Sequence, residues 1–331
     1  MPAGRSRLTS SFWHTASENL ILSWLYSIGH NTILKNDRLA RIASYIFRSA
    51  AGSLRKRYEN HRTCAVVALH PGAAVALAEW KKHSDFLFYA VCTDLFVHGM
   101  QANEMVDVVF ADKRSLIYGS AAKDAAKTGK IEWGDLPIDE KFFQEKRLCE
   151  PEASRVVVTF GAKSIRWAQN IEKIVSLVQS ARGHNFDIVC GNNSDFRNTL
   201  EQRIQFTACG KRVRVHGYVD DMHSLYRQSA AVIGKPGGLT VAEVTAMGLP
   251  FGILDWLPGQ EERNIESLTN NPLVAKIRNH ADLMELMKKK SATFVEIREQ
   301  RHSSHALRGS AAIAQSISAN LASREQVQRC C

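Results

Sequence analysis

Residues 234–243 read Gly-Lys-Pro-Gly-Gly-Leu-Thr-Val-Ala-Glu, and residues 248–250 read Gly-Leu-Pro. The apolar run just before this stretch, residues 230–233, predicts a buried strand. A glycine-rich turn and the amphipathic run 241–247 follow, so the order is strand, loop and helix. This geometry directs free backbone N–H groups and the positive end of a helix at a phosphate.

Four residues of this stretch are candidate ligand contacts. Gly237 and Gly238 have no Cβ atom, so a ligand can approach the backbone closely. Thr240 carries a hydroxyl that can cap the helix or bind a phosphate oxygen. Glu243 lies one turn further on, where a carboxylate can hold the two hydroxyls of a ribose. The alternative interpretation is a capped helix after a glycine turn, with Thr240 and Glu243 as a capping box.

A second loop of the same kind follows the next apolar run. Residues 251–254 predict another buried strand, which leads into the polar stretch 256–264 at the start of a helix. Gln260, Glu261 and Asn264 in that stretch carry side chains that form hydrogen bonds. Open α/β sheets bind ligands at the carboxyl ends of their strands, so both loops are expected at a ligand site.

The ordered set of these motifs resembles glycosyltransferase family 28, in particular the monogalactosyldiacylglycerol synthases and the processive diacylglycerol glucosyltransferases. The N-acetylglucosaminyltransferase that forms lipid II is a more distant relative. The resemblance extends over roughly residues 150–325 and more loosely over residues 20–120. The matching segments are residues 188–193, 216–222, 235–240, 248–250 and 259–261, together with Glu243 and Asn264.

The resemblance implies a GT-B-like α/β architecture, in which two Rossmann-like domains face a cleft. Residues 150–325 would form the C-terminal domain, which binds a UDP-sugar. Residues 1–140 would form an N-terminal domain that faces the acceptor and the membrane. The family opens with a strand that this sequence does not show, so we interpret the N-terminal domain as incomplete.

The resemblance also implies a role for each residue of the donor site. The backbone groups of Tyr218 and Val219 would face the uracil, Glu243 would hold the ribose, and the loop at residues 237–240 would hold the diphosphate. Sugar hydroxyls would be read by three side chains, those of Gln260, Glu261 and Asn264.

A further glycine-rich loop of the family follows the first strand of the C-terminal domain. Here that loop reads Phe-Gly-Ala-Lys-Ser at residues 160–164, so one glycine, Gly161, is kept and Lys163 is added. A lysine at this position can neutralise a diphosphate.

Polar residues also follow two strands predicted in the N-terminal half. The apolar runs 64–69 and 86–92 predict buried strands. His70 follows the first run, Asp94 follows the second, and His98 lies four residues beyond Asp94. Each residue alone is more often a cap or a satisfied polar group. Together, at corresponding strand ends, they are candidate catalytic residues.

The family's own catalytic loop has no counterpart in this sequence. In the family, a Gly-Gly-Gly-His-type loop follows the first strand, and its His is generally taken as the base that deprotonates the acceptor hydroxyl. Gly29 and His30 come nearest, but no predicted strand precedes them. Asp94, His70 or His98 would therefore have to serve as the base, and we favour Asp94.

Composition excludes several classes of protein. The 331 residues predict about two domains. The seven scattered cysteines form no Cys-x-x-Cys pattern, which indicates reduced thiols rather than a zinc site or a disulfide framework. We find no signal peptide and no apolar run of about 18 residues, so the chain is not expected to span a membrane. No Asp-x-Asp metal motif occurs, and no cofactor is expected beyond the UDP-sugar co-substrate.

The formal net charge of +10 is concentrated at the two ends of the chain. Residues 1–62 carry ten Lys and Arg against three Asp and Glu, and residues 276–331 carry ten against five. Residues 37–58 have the pattern of a basic amphipathic helix, which binds an anionic membrane surface or simply packs on a core. We expect a cytoplasmic protein, peripheral on the inner face of the membrane. No nucleic-acid motif accompanies the basic ends, so nucleic acid is not an expected partner.

The resemblance therefore implies an inverting, metal-independent transfer of a hexose from a UDP-sugar to a membrane lipid acceptor of the diacylglycerol type. Two alternatives stay open. One is a degenerate, non-catalytic protein that binds a nucleotide-sugar or a lipid surface, which a measurement of turnover would distinguish. The other is an enzyme like UDP-sugar 2-epimerase, which shares this architecture and would isomerise a free UDP-sugar without an acceptor.

Overall fold

The computed structural model separates the chain into two compact units of α/β structure. Unit 1 comprises the described residues up to Glu140 and those from residue 307 onwards, and unit 2 comprises the described residues between them. The C-terminal domain predicted from the sequence ends at residue 325, whereas the structure groups residues 307–325 with unit 1. The structure describes residues 64–143, 154–161, 167–205, 207, 210–288 and 307–330, together with Gly52 and Lys56.

Unit 2 is built on a six-stranded parallel sheet with helices between the strands. The strands are β7 (Arg155–Thr159), β8 (Asn185–Val189), β9 (Val213–His216), β10 (Ala231–Gly234), β11 (Phe251–Ile253) and β12 (Val274–Lys276). The helices are α3 (Trp167–Ser180), α4 (Ser194–Gln205), α5 (Met222–Arg227), α6 (Gly238–Ala246), α7 (Gln260–Ser267) and α8 (His280–Lys288), and a short 3-10 helix spans Gly210–Arg212.

The strand order of unit 2 is that of a doubly wound sheet. The order β12-β11-β10-β7-β8-β9 places the first strand of the unit, β7, in the middle. Strands β8 and β9 are added on one side of β7, and β10, β11 and β12 on the other. The side on which successive strands are added changes between β7 and β10. These two strands pair in parallel, with Thr159 opposite Gly234. Ligands of such sheets bind at this reversal, outside the carboxyl ends of the strands.

Apolar residues on both faces explain why these segments form strands of a buried parallel sheet. Val156 and Val158 of β7 pack with Phe186 and Ile188 of β8 in one cluster, to which helix α3 contributes Ile174. All of these side chains are almost fully buried. Truncating one of the larger of them to alanine costs about 2–5 kcal/mol, so this core fixes the strands that carry the loops.

Unit 1 contains a smaller sheet and a separate strand pair. The four-stranded sheet has the order β1-β2-β4-β6, and β3 pairs with β5; all pairs are parallel. The strands are β1 (Ala65–Ala68), β2 (Leu87–Val91), β3 (Phe96–His98), β4 (Val108–Asp112), β5 (Leu116–Tyr118) and β6 (Ile131–Gly134). The helices are α1 (Pro71–Lys81), α2 (Ser120–Lys127) and α9 (Gly309–Cys330), and a 3-10 helix spans Glu140–Phe142.

The C-terminal helix α9 packs against unit 1. Ile313 and Ile317 of this helix contact the sheet face that carries Tyr89 and Phe110. Just before the helix, Arg308 donates two hydrogen bonds to the Asp135 carboxylate, with N–O distances of 2.9 and 2.8 Å. These contacts explain why the last residues join the first unit, although they follow unit 2 in the chain.

No helix within the described ranges combines the length and the apolarity that a membrane span requires. The basic amphipathic helix predicted at residues 37–58 lies outside the described residues, apart from Gly52 and Lys56. Its predicted contact with an anionic membrane surface therefore stays a prediction.

Candidate functional site

The candidate site begins where β7 and β10 lie side by side. Gly234, the last residue of β10, faces the backbone of Thr159 so closely that a Cβ atom placed on it would lie 1.8 Å from the Thr159 carbonyl oxygen. Only glycine permits this approach, because the neighbour is backbone and has no rotamer to change. The loops after these two strands therefore leave the sheet from adjacent points.

The loop after β10 turns directly into helix α6. Gly237 N donates to the Lys235 carbonyl oxygen at 2.9 Å, and Gly237 is the N-cap of the helix, in an extended conformation. The helix begins at Gly238, three residues earlier than the amphipathic run predicted. Thr240 consequently lies inside the first turn, so the alternative capping box of Thr240 and Glu243 is wrong.

The first turn of α6 has the geometry that binds anions. The N–H groups at a helix N-terminus have no partner within the helix, and the helix dipole adds positive potential there. Gly237 and Gly238 add no side chains at this point, and the hydroxyl of half-buried Thr240 lies in the same turn. These groups lie where the sequence analysis expected a diphosphate.

Glu243 lies on the next turn of α6 and is half-buried. Its carboxylate interacts electrostatically with the Tyr226 phenol of helix α5, and the Tyr226 side chain is almost fully buried. Burial, and after it the Glu243 charge, raises the pKa of Tyr226 far above its usual value. The negative charge of Glu243 is therefore close to a neutral phenol, beside the loop that begins the helix.

Side chains that follow β11 contact the loop after β10 and hold it in place. Glu261 of helix α7 is buried, and its Oε1 lies 2.5 Å from the Lys235 Nζ. Its Oε2 accepts a hydrogen bond from Leu257 N at 2.5 Å. The Asn264 side chain, which is fully buried, donates from Nδ2 to the Pro236 carbonyl oxygen at 3.0 Å.

The start of helix α7 is fixed by the backbone conformation of Gly259 and by a hydrogen bond to Glu262. Its N-cap, Gly259, has a φ of 86°, a left-handed conformation that favours glycine. Gly259 N donates to the Glu262 carboxylate at 3.0 Å, which satisfies one backbone donor at the helix start. Gln260, the first residue of the helix, is half-buried.

Bracing by Glu261 and Asn264 is a role that the sequence analysis missed. The two side chains hold Lys235 and Pro236, so the loops after β10 and β11 form one connected surface. No local pattern signals this contact, because the partners lie 26 and 28 residues apart in the chain. The predicted contacts of Gln260, Glu261 and Asn264 with sugar hydroxyls stay predictions.

The two other predicted donor segments also lie at the carboxyl edge of this sheet. Tyr218 and Val219 follow β9, and the Tyr218 side chain is 56% exposed. Gly161 follows β7, and its N donates to the Thr159 hydroxyl at 3.3 Å. Lys163 lies outside the described residues.

Two of the three predicted catalytic residues are neighbours in unit 1. His70 follows β1 and caps helix α1, because its Nδ1 accepts a hydrogen bond from Gly72 N at 3.0 Å. Partial burial lowers the pKa of His70, and the nearby Asp94 carboxylate raises it in part. Asp94, after β2, is half-buried. The structure thus brings His70 and Asp94 to the carboxyl ends of adjacent strands.

His98, the third predicted catalytic residue, lies in a more enclosed position. It ends β3, its side chain is buried, and its Nδ1 accepts a hydrogen bond from Met100 N at 3.2 Å. The ring also stacks on Phe96, with 6.2 Å between centroids. This packing favours a structural role for His98 and leaves the His70–Asp94 pair as the better candidate for proton transfer. His30 lies outside the described residues.

The described residues contain no group of three or more His, Cys, Asp or Glu side chains placed to hold a metal ion. The metal-independent reaction predicted from the sequence is not tested by this finding and stays a prediction.

Comparison with protein families shows which known domain unit 2 is similar to. Residues 155–294 match the model of the glycosyltransferase family 28 C-terminal domain. The predicted resemblance to family 28 is confirmed. The matched segment contains β7 to β12, and with them both loops of the candidate site.

Curated relatives extend the similarity into unit 1. The chain is 24% identical over 210 residues to the processive diacylglycerol beta-glucosyltransferase of Bacillus licheniformis, which covers 60% of this chain and 52% of the relative. The similar enzyme of Bacillus cytotoxicus is 25% identical over 223 residues, covering 65% of this chain and 56% of the relative. The matched segment thus spans about half the length of these relatives.

Solved structures share the fold. The spinosyn rhamnosyltransferase SpnG aligns with a TM-score of 0.59 at 11% identity, covering 91% of this chain and 82% of SpnG. MurG of Acinetobacter baumannii aligns with a TM-score of 0.56 at 13% identity, covering 83% of this chain and 80% of MurG. These similarities confirm the GT-B-like α/β fold predicted from the sequence.

Proposed function

We propose that this protein transfers a hexose from a UDP-sugar to the hydroxyl of a membrane lipid of the diacylglycerol type, with inversion and without a metal ion. The observation that carries the proposal is the loop from Gly234 to Gly238, which enters helix α6 at the strand reversal between β7 and β10. Family 28 membership of this domain and the names of the curated relatives support sugar transfer to a lipid.

The donor lies across the carboxyl edge of unit 2. The N–H groups at the start of α6 receive the diphosphate, and Glu243 accepts hydrogen bonds from the ribose hydroxyls. The backbone at Tyr218 and Val219 faces the uracil. Gln260, at the start of α7, faces the sugar together with Glu261 and Asn264, which also hold the diphosphate loop in place.

The leaving group gains stabilisation from the fold itself. As the bond between the anomeric carbon and the diphosphate oxygen breaks, its electron pair stays on that oxygen and charge develops there. Preorganised N–H donors and a helix dipole stabilise such charge without reorganising. The Lys235 ammonium, held by Glu261 at 2.5 Å, adds a positive group of fixed position beside them.

The acceptor hydroxyl must lose its proton as it attacks the anomeric carbon. Asp94 takes that proton. His70 is close enough to interact with the Asp94 charge, and it orients the Asp94 carboxylate or relays the proton. Attack from the face opposite the diphosphate inverts the anomeric configuration. The lipid acceptor is reached from the membrane surface, to which the basic residues of segment 1–62 are attracted through anionic lipids.

Turnover in a defined mixture tests the proposal. The protein is incubated with UDP-glucose, UDP-galactose or UDP-N-acetylglucosamine, EDTA, and vesicles that contain diacylglycerol and an anionic lipid. The expected products are UDP and a β-linked glycosyl diacylglycerol, with less product and less vesicle co-sedimentation as salt rises. Vesicles without the anionic lipid are the matched control.

Other outcomes of the same assay identify the alternatives. An isomerised UDP-sugar, formed without vesicles, identifies a 2-epimerase. Saturable UDP binding with neither transfer nor hydrolysis for any sugar identifies a non-catalytic binding protein. An α-linked product contradicts inversion, and product that disappears with EDTA contradicts the metal-independent reaction.

A further inference from the structure

Three charged or polar side chains meet on the neighbouring strands β7, β8 and β9 of unit 2, around one buried carboxylate. Asp187 of β8 is only 1% exposed. Its Oδ2 accepts a hydrogen bond from Arg155 Nη1 of β7 at 2.6 Å. Its Oδ1 lies 2.6 Å from His216 Nε2 of β9. We call Arg155, Asp187 and His216 the charge trio; none of the three has a role in the donor site described above.

The charge trio lies on the sheet face opposite the main core of unit 2. Side chains alternate between the two faces of a strand. On β8, Phe186 and Ile188 belong to the main core, so Asp187 between them faces the other way. On β9, Val215 packs against that core, so His216 next to it also faces away. The three side chains therefore meet across neighbouring strands.

The Asp187 carboxylate of the charge trio has two partners, Arg155 and His216. A carboxylate as buried as that of Asp187 requires a charged or hydrogen-bonding partner. Arg155 supplies the positive charge, because a guanidinium is always protonated. His216 adds a hydrogen bond from Nε2 to the other carboxylate oxygen. This hydrogen bond fixes the tautomer and the orientation of the ring.

His216 is also the last anchored residue before the segment proposed to face the nucleobase. It ends β9, and its carbonyl oxygen accepts a hydrogen bond from Cys190 N at 2.9 Å. Gly217 comes next, where an added Cβ atom would make only ordinary van der Waals contacts, with Arg197 and Gly191. The chain then emerges at Tyr218, whose side chain is 56% exposed. His216 therefore anchors the start of this segment twice, through its backbone and through its side chain.

We propose that the Asp187–His216 pair is a positioning device that holds residues 217–219 in the conformation that receives the nucleobase. This inference rests on the proposed function for its ligand, although the ordering of the segment does not depend on it. A segment that is already ordered loses less conformational entropy when it binds, so the pair strengthens binding without touching the nucleotide. His216 and Asp187 are thus positioning residues rather than catalytic ones.

The first test needs no nucleotide. His216→Phe keeps a ring but removes the hydrogen bond to Asp187, whereas the amide nitrogen of His216→Gln can replace Nε2. Lys211→Gln, at an exposed residue just before the same strand, is the control. Hydrogen exchange of peptides covering residues 213–222 should become several-fold faster in His216→Phe and stay near wild type in the other two. Wild-type exchange in His216→Phe overturns the proposal.

The second test asks whether the ordering serves the nucleobase. Calorimetry compares UDP with inorganic pyrophosphate, which lacks the base. His216→Phe should bind UDP about tenfold more weakly and pyrophosphate as well as wild type, and His216→Gln should restore UDP affinity. Unchanged UDP affinity in His216→Phe, or an equal loss for both ligands, overturns the role. His216→Leu removes the hydrogen bond with less bulk and replaces the Phe variant if that variant does not fold.

The two tests separate this inference from the proposed function. If wild-type protein binds neither UDP nor UDP-sugars while exchange still responds to His216→Phe, the nucleotide assignment fails and the ordering of the segment stands. If UDP binds but exchange does not respond, the proposed function stands and the positioning device fails.

Discussion

The two larger parallel sheets in the described residues differ in their strand order. In unit 2, strands are added on both sides of β7, so the order in which strands are added reverses between β7 and β10, although all strands stay parallel. In unit 1, the strands that the structure describes are added on one side of β1 only, in the order β2, β4, β6. The ends of β7 and β10 therefore mark the position at which sheets of this kind bind ligands, and the described part of the unit 1 sheet has no such reversal.

The polar groups at the two edges differ accordingly. Unit 2 presents backbone N–H groups and a helix N-terminus, which bind phosphate oxygens whatever the side chains. Unit 1 presents the side chains of His70 and Asp94, which can move a proton. In the proposed function, the doubly wound sheet would bind the donor through its backbone, whereas proton transfer would depend on two particular side chains. Mutations should separate these two contributions.

The largest effect is expected where the two strands of the reversal touch. Gly234→Ala places a methyl group 1.8 Å from the Thr159 carbonyl oxygen, and backbone cannot move aside. Overpacking usually costs about 1–3 kcal/mol, and we expect at least the upper end here. Chemical denaturation should show a large loss of stability in unit 2, with loss of UDP binding.

Gly134→Ala is the matched control for this change. Gly134 ends β6 of unit 1 as Gly234 ends β10, but a Cβ atom on Gly134 meets no atom within 4 Å. Its stability should stay within about 0.5 kcal/mol of wild type. Equal stabilities of the two variants would contradict the close contact at the reversal.

The next effect concerns catalysis in unit 1. Asp94→Asn removes the proposed base while nearly preserving the shape of the side chain. Loss of general base catalysis typically costs a factor of about 10²–10⁴, so transfer to diacylglycerol should become undetectable in a standard assay. UDP affinity should stay nearly unchanged, because the proposed donor site lies in unit 2. Transfer at the wild-type rate would exclude this role for Asp94.

A smaller effect is expected from the brace between the two loops of unit 2. Glu261→Gln removes the charge that faces Lys235 and weakens the hydrogen bond to Leu257 N. The loss should be about 1–3 kcal/mol of stability, with weaker UDP binding. A double-mutant cycle with Lys235→Met measures the pair directly by denaturation. A coupling energy near zero would show that the pair does not hold the loop.

The smallest effect is a pH dependence confined to unit 2. His184 is buried next to His280, with 5.8 Å between ring centroids, and Arg212 donates to its carbonyl oxygen at 2.7 Å. Burial, and after it the charges of His280 and Arg212, lowers the pKa of His184. Protonation thus favours the unfolded chain, whose histidine pKa is about 6.5.

The contribution of His184 is therefore complete above that unfolded pKa and is lost as the pH falls below it toward the lower folded value. Wild-type stability should fall between pH 7.5 and pH 5.5, and His184→Gln should reduce the fall. Exchange of peptides around residues 181–184 reports the change locally. An unaltered pH dependence in the variant would mean that another group titrates.

The sequence predicted most of the elements near the donor site, because their periodicity is local. The apolar run 230–233 became β10, the run 251–254 became β11, and the glycine loop between β10 and α6 appeared where expected. The start of α6 was misplaced by three residues, since Gly237 took the N-cap that Thr240 was considered for. Cap geometry depends on backbone conformation, which composition does not reveal.

Contacts between distant residues could not be predicted. The brace from Glu261 to Lys235 and the hydrogen bond from Asn264 to Pro236 depend on how β10 and β11 pair. Asp187 did leave a signal, as a lone carboxylate in an apolar strand, but its partners lie on two other strands. The strand pair β3–β5 was not predicted from the sequence.

UDP binding by calorimetry tests the central claim, that the strand reversal of unit 2 holds a nucleotide donor, most directly. We expect saturable binding by wild-type protein and a loss of about 1–3 kcal/mol in Glu243→Ala, which removes charged hydrogen bonds to the ribose. Glu201→Ala, at an exposed residue of α4 in the same unit, should bind UDP as wild type does. No binding of UDP or its sugars at millimolar concentration, or equal affinity in Glu243→Ala and wild type, would contradict the account.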